Sequence, residues 1–393
     1  MKRIDSYINT IFEESEIIKS GGMVFSASLV GSVILFIANL LLSKHFGPEG
    51  FGNFKTVIYL SLLLSSTIEL GAGITLTKYI AEFSKDRINY IVRWFLKLRI
   101  VSYLILLCII FIFREKIALY FLNDPSLSNL IMAGMLLSAL VFFDIFKFIS
   151  LGFQNFRLYS FSQFLTLTSA GIFTLTFGYL FGIYYAIIGW GLGYLIGNLP
   201  NIRFSFAKKI FKKTDVRLDV KKIFLNYSMP IHLMIIPGFI GNAIIPILSL
   251  FFSQRLIGYY SFAMVFYQGV ISIPNALSSV LLPRFSELNG SDNLNEARIK
   301  LKRIFLIYTP IVILGIIFCI LFSELFLSIV ASAYLPGLLI FKTLVCFGLF
   351  VGYLLIYRSY LTGLAKLRRL TIIVIFHNIS LFILSFIIMK LIS

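Results

Sequence analysis

Apolar stretches follow one another along nearly the whole 393-residue chain, each close to the ~20 residues a helix needs to cross a ~30 Å hydrocarbon layer. That feature leaves few folds open. Inside lipid every backbone polar group needs an internal partner, so a spanning segment is a helix or part of a closed barrel. Continuous apolar runs of this length read as helices. Windows bounded by charges and turn residues place eleven spans, at about 23–42, 55–76, 98–113, 128–148, 159–180, 183–200, 227–250, 258–281, 304–322, 336–356 and 370–389. Composition agrees. Charged residues make up 13% of the chain, against about a quarter in a soluble domain. The expected fold class is an all-α polytopic membrane protein.

The formal net charge of +18 would suggest a nucleic-acid partner if a soluble domain were left to carry it, and none is. Lys and Arg gathered at span ends fit the positive-inside rule instead. With the N-terminus in the cytoplasm, the basic residues near span ends favour the inner side by roughly four to one. This orientation predicts a multi-pass protein of the cytoplasmic membrane with its C-terminus outside. Residues 1–22 carry Ile4, Tyr7, Ile8, Ile11 and Phe12 at helical spacing and read as a cytoplasmic amphipathic segment. Residues 201–226 are basic and read as a cytoplasmic linker beside anionic headgroups. Cys108, Cys319 and Cys346 fall inside apolar runs without metal-site or disulfide spacing. No phosphate-loop motif occurs, and no cofactor is expected.

The chain repeats itself. Gly52-Asn53-Phe54, after the first span, matches Gly258-Tyr259-Tyr260, and Lys78-Tyr79 matches Arg284-Phe285, both at an offset of 206 residues. Gly152 to Arg157 matches Gly363 to Arg368 at an offset of 211. The first and seventh spans run in the same direction, which predicts a parallel repeat about an axis along the membrane normal. The expected organisation is an N-lobe of six spans (23–200) and a C-lobe of five (227–393). Adding the larger offset to Ile183 passes Ser393, so the second copy is expected to lack its last helix.

The stretch Phe46-Gly47-Pro48-Glu49-Gly50-Phe51-Gly52-Asn53-Phe54 resembles the first outer loop of the oligosaccharide flippases. These form the polysaccharide-transporter branch of a superfamily that also holds the multidrug-and-toxin extruders. Glu69-Leu70-Gly71, Lys78 to Ala81, Gly258 to Ser261, Pro283 to Glu287 and Gly363 to Arg368 are similar to that family's pattern in order and spacing. The resemblance implies two six-helix lobes in a V around a cavity that opens alternately to each side. It implies a prenyl-diphosphate-linked oligosaccharide as substrate, with membrane lipids, a coupling H+ or Na+, and polysaccharide assembly proteins as compatible partners.

Carrying a diphosphate headgroup through the bilayer calls for buried cations, because an isolated charge there costs about 2.5–3.5 kcal/mol or more. Sugars call for amides and aromatic faces. Lys55 and Arg255, beside the outer turns of the two repeats, are the leading cation candidates, with Lys342 on the tenth span. Asn242, Gln268 and Asn275 could meet sugar. Glu69, the deepest acid of the second span, could take a coupling ion or pair with a cavity Lys, and His232 is a second such candidate. Lys78 and Arg284 are inner-mouth cations for which simple anchoring is the competing role. Asp144 and Lys147 read as an i,i+3 pair that satisfies itself. A multidrug or organic-cation antiporter of the same superfamily is the alternative function, which the outer-side cations disfavour. An enzyme is not expected. The outer connections are short, and no His/Cys/Asp cluster has metal spacing.

Overall fold

A computed structural model describes residues 2–212, 216, 218–290, 293–364 and 366–393, and the regular structure among them is helical. The helices in chain order are α1 (Lys2–Glu69), α2 (Ala72–Glu82), α3 (Lys85–Leu122), α4 (Ser128–Val141), α5 (Ile145–Gly152), α6 (Phe156–Phe181), α7 (Ile183–Ala207), the single turn α8 (Val220–Ile223), α9 (Met229–Ser249), α10 (Gln254–Gly290), α11 (Leu294–Val330), α12 (Leu338–Gly363) and α13 (Leu367–Ile392). Among the described residues, eight stretches are long and apolar enough to cross a membrane, so the protein is multi-pass. The expected spans fall largely in helix, with the one at 55–76 interrupted at Leu70 and Gly71.

Two breaks shape α1 and its continuation. At Gly47 the backbone takes φ 67°, ψ 177°, a conformation only glycine adopts without strain, and Pro48 starts a new turn without needing a donor. The helix therefore reverses there into two arms, the first two spans. The second arm ends at Leu70 and Gly71, both left-handed (φ 51° and 71°), before α2 continues it. Gly182, at φ 87°, separates α6 from α7 at the division expected there.

Helices before the linker pack on one another, chiefly α6 on α7, α1 on α6 and α4 on α7. Those after it do the same, with α12 against α10, α11 and α13. Small residues allow this. A Cβ on Gly193 would fall into the Ala170 backbone, and one on Gly197 into Thr166, so α6 and α7 approach almost backbone to backbone. The two groups meet mainly where α1 crosses α10 and α9. The outer helices α3 and α11 face lipid, with Leu104, Ile105, Ile112, Leu306, Ile307 and Leu314 all more than half exposed.

The segment expected as a linker is partly structured. α7 continues past residue 200 to Ala207, and Ile210 and Val220 are buried with Ile88, Ile91 and Phe146 in one apolar cluster. Positions 213–215 and 217 of that linker lie outside the described residues, as do the side chains behind the amphipathic reading of 1–22.

Candidate functional site

The seam between the two groups is where a duplicated transporter would place its substrate path. At the Gly47 end of the bundle it is tightly closed. Gly52 on α1 lies so near α10 that a Cβ would overlap the Gln254 carbonyl, and a Cβ on Gly258 would overlap the Pro48 carbonyl. Positions 48 and 254, like 52 and 258, are 206 residues apart, so each copy of the repeat offers the same glycine to the same place on the other. Side chains reinforce the contact. Thr56 Oγ1 donates to Gln254 Oε1 (3.1 Å), Gln254 Nε2 donates to the Phe121 carbonyl (2.6 Å), and Tyr334 Oη donates to the Ser43 carbonyl (2.8 Å).

One turn along α1 from Gly52 sits Lys55, only 5% exposed. Its Nζ faces the rings of Phe51, Phe54 and Trp190 at 5.3, 5.7 and 5.2 Å. The quadrupoles of these rings offer an ammonium partial compensation for lost water. Among the described residues no carboxylate lies within ion-pairing distance of it. Lys55 flanks the helix face that carries Gly52, Thr56 and Tyr59 against α10, so it sits at the edge of the seam. Farther in, Gln268 Nε2 donates to Tyr59 Oη (2.9 Å), and Phe36 meets Phe266 edge-on at 5.3 Å. The seam thus gathers a buried cation, an amide, a phenol and several rings.

The other sequence-predicted residues disperse around it. Arg255 is exposed at the Gly47 end and donates through Nε to Tyr259 Oη (3.0 Å), away from the Lys55 pocket. Asn275 and Arg284 are exposed farther along α10. Lys342 is half-buried in the α12 stripe with Cys346, Leu349 and Tyr353. That stripe packs on α11, where Cys319 Sγ reaches the Lys342 carbonyl (3.9 Å) and Tyr353 Oη donates to Thr309 Oγ1 (2.8 Å). Asn242 is half-buried on α9, beside Gly241, whose Cβ position lies 3.6 Å from Asn378 Oδ1 of α13. His232 is buried at the start of α9, against the Gly71 break. Lys78 pairs weakly with Glu82 (3.9 Å) and lies 4.1 Å from the Tyr227 ring centroid.

Glu69 has a clear structural task. Its carboxylate oxygens accept the backbone N–H groups of Gly71 (2.9 Å) and Gly73, donors that the first turn of α2 would otherwise leave unpaired. The break it caps is braced from across the seam by Ser228, whose Oγ donates to the Leu70 carbonyl (2.7 Å).

Two groups of buried polar residues escape a linear reading. Asp144 and Lys147 do pair (2.8 Å), as expected, but Lys147 also reaches Gln163 Oε1 (3.1 Å), and Asp144 accepts from Asn198 Nδ2 (2.9 Å). Arg99, a basic residue at the inner end of the third expected span, is 4% exposed and lies over the Phe142 ring at 5.0 Å. Its place on a buried stripe with Ile88, Val92 and Phe95 was the available signal, since that spacing marks one helix face.

A family model described as polysaccharide biosynthesis protein matches residues 17–289. An uncharacterised membrane protein of Methanocaldococcus jannaschii is 23% identical over 388 residues, covering 93% of this chain and 90% of its own. The fold is similar to that of the lipid II flippase MurJ in an inward closed conformation, with a TM-score of 0.69 and 15% identity over 93% of this chain and 86% of that one. It is also similar to an inward-facing multidrug resistance transporter of the MATE family in the MOP superfamily, with a TM-score of 0.57 and 14% identity over 94% and 97% of the two chains. Both are membrane transporters, and at these identities the likeness is one of fold.

Proposed function

Because the chain belongs to the polysaccharide biosynthesis protein family, we propose that it translocates a prenyl-diphosphate-linked oligosaccharide across the cytoplasmic membrane by alternating access. The observation that carries this reading is Lys55, a buried ammonium at the edge of the seam with aromatic rings around it and no carboxylate partner among the described residues. A cation so placed attracts an anionic headgroup and repels an organic cation, because a membrane interior screens neither interaction. The lipid tail stays in the bilayer while the diphosphate follows the seam. Tyr59, Gln268 and Asn275 offer hydrogen bonds to sugar, and Arg255 waits at the Gly47 end, which the distribution of Lys and Arg assigns to the outer side.

Purified protein should bind a fluorescent prenyl diphosphate oligosaccharide and ignore the matching uncharged prenyl alcohol. Lys55→Ala should weaken that binding at least tenfold, while Lys55→Arg retains most of it. Equal binding of the alcohol, or preferential binding of a cationic dye, would favour the antiporter reading.

A further inference from the structure

Alternating access requires the seam at the Gly47 end to part and reclose, and the contact there has an unusual construction. As within the α6–α7 pair, a single methyl group on either helix would overlap the other's backbone, and across the seam this happens twice, at symmetric positions. Gly52 of the first copy lies on residue 254 of the second, and Gly258 of the second lies on residue 48 of the first. The contact is self-complementary, as at a two-fold interface between identical subunits, although both partners belong to one chain.

We infer that Gly52 and Gly258 form a paired backbone lock that seals the Gly47 end of the seam, and that either glycine alone decides whether the seal can close. The inference rests on the alternating-access reading.

Three features support it. The clashing atoms are backbone carbonyls of Gln254 and Pro48, each the first helical residue after a break, and a backbone carbonyl cannot swing aside as a flexible side chain would. The polar bonds from Thr56, Gln254 and Tyr334 gather around the same crossing, so the lock and its fastenings act at one place. Neighbouring glycines differ. A Cβ on Gly50 would meet only the side chains of Phe46 and Ile183, both before the linker, at 3.1 and 3.2 Å. Small residues let membrane helices pack closely in general. Here the same device joins two groups that must also separate, and it does so without a side chain that has to find a new rotamer at each cycle.

The test needs no substrate. In a background with Cys108, Cys319 and Cys346 changed to alanine, spin labels at Tyr120→Cys and Phe251→Cys report across the seal. Both sites are well exposed, and they flank the contact in which Asn123 Nδ2 donates to the Phe252 carbonyl (3.4 Å). The starting protein should give a short inter-label distance. Gly52→Ala and Gly258→Ala should each abolish that short population, and the double variant should add nothing further. Gly50→Ala should leave it intact. A reference pair before the linker, Tyr120→Cys with Tyr185→Cys, should not change in any variant. Persistence of the short distance in both single alanine variants overturns the lock. If the alanine variants fail to give monodisperse protein, Gln254→Ala replaces them. It removes two side-chain fastenings and leaves the glycine–carbonyl contacts in place, so the short population should persist, and its loss would overturn the inference. A protein that fails to flip lipid yet behaves this way refutes the substrate and keeps the lock. The reverse pattern refutes only the lock.

Discussion

Lys55 and Glu69 lie on the same helix arm and illustrate how differently two buried charges can be satisfied. Glu69 accepts two backbone N–H groups, and removing such a cap typically costs about 1–2 kcal/mol. Glu69→Ala should therefore lower the unfolding temperature in detergent, whereas Glu69→Gln, which keeps one acceptor oxygen, should lower it less. The Asp144–Lys147 pair invites a comparison of the same kind. The Lys147 side chain is 7% exposed and that of Asp144 27%. Stranding the more buried charge should cost more, up to the ~3–5 kcal/mol seen for broken buried pairs. Asp144→Asn should thus destabilise more than Lys147→Met, and the opposite order in thermal unfolding would mean that Asn198 and Gln163 carry the network.

At the scale of elements, the fold depends on how closely helices approach. Gly193 meets the Ala170 backbone across the α6–α7 pair, while Gly241 on α9 has, among the described residues, only Asn378 Oδ1 within range, at 3.6 Å. Gly193→Val should abolish recovery of folded protein, and Gly241→Ala should be tolerated, as judged by size-exclusion chromatography. The spans themselves were legible because their signal is local: apolar length, bounded by charges and turn residues. Gly182 marked the α6–α7 division for the same reason. What escaped was tertiary. Lys55 reads in the sequence as a residue near an outer turn, but Pro48 restarts α1 at once, so position 55 already lies two turns inside and beneath three rings. Arg99 and Lys97 look alike in the sequence as basic residues at a span end, yet they fall on different faces of α3, and only the stripe through Val92 and Phe95 tells them apart.

For the whole molecule, the 206-residue offset read in the sequence has a counterpart in space. The offset of 206 residues that aligned Gly52 with Gly258 in the sequence also relates the two sides of the α1–α10 crossing, so a weak textual match became a contact. The candidate site was less legible than the fold. A cavity residue and a lipid-facing one share the same apolar or half-polar character, and the seam separates them only after folding. It keeps Lys55 and Gln268, places Arg255 at one end, and leaves Lys342 against α11.

Passage of a lipid-linked anionic headgroup along this seam is what we propose. The most direct measurement is translocation of a labelled prenyl-diphosphate oligosaccharide in proteoliposomes, comparing the protein, its Lys55→Ala variant and empty vesicles. Faster transfer of the sugar to the opposite leaflet is expected with the protein, and near-background transfer with Lys55→Ala. Background transfer by the intact protein, together with uptake of an organic cation by the same vesicles, would contradict it.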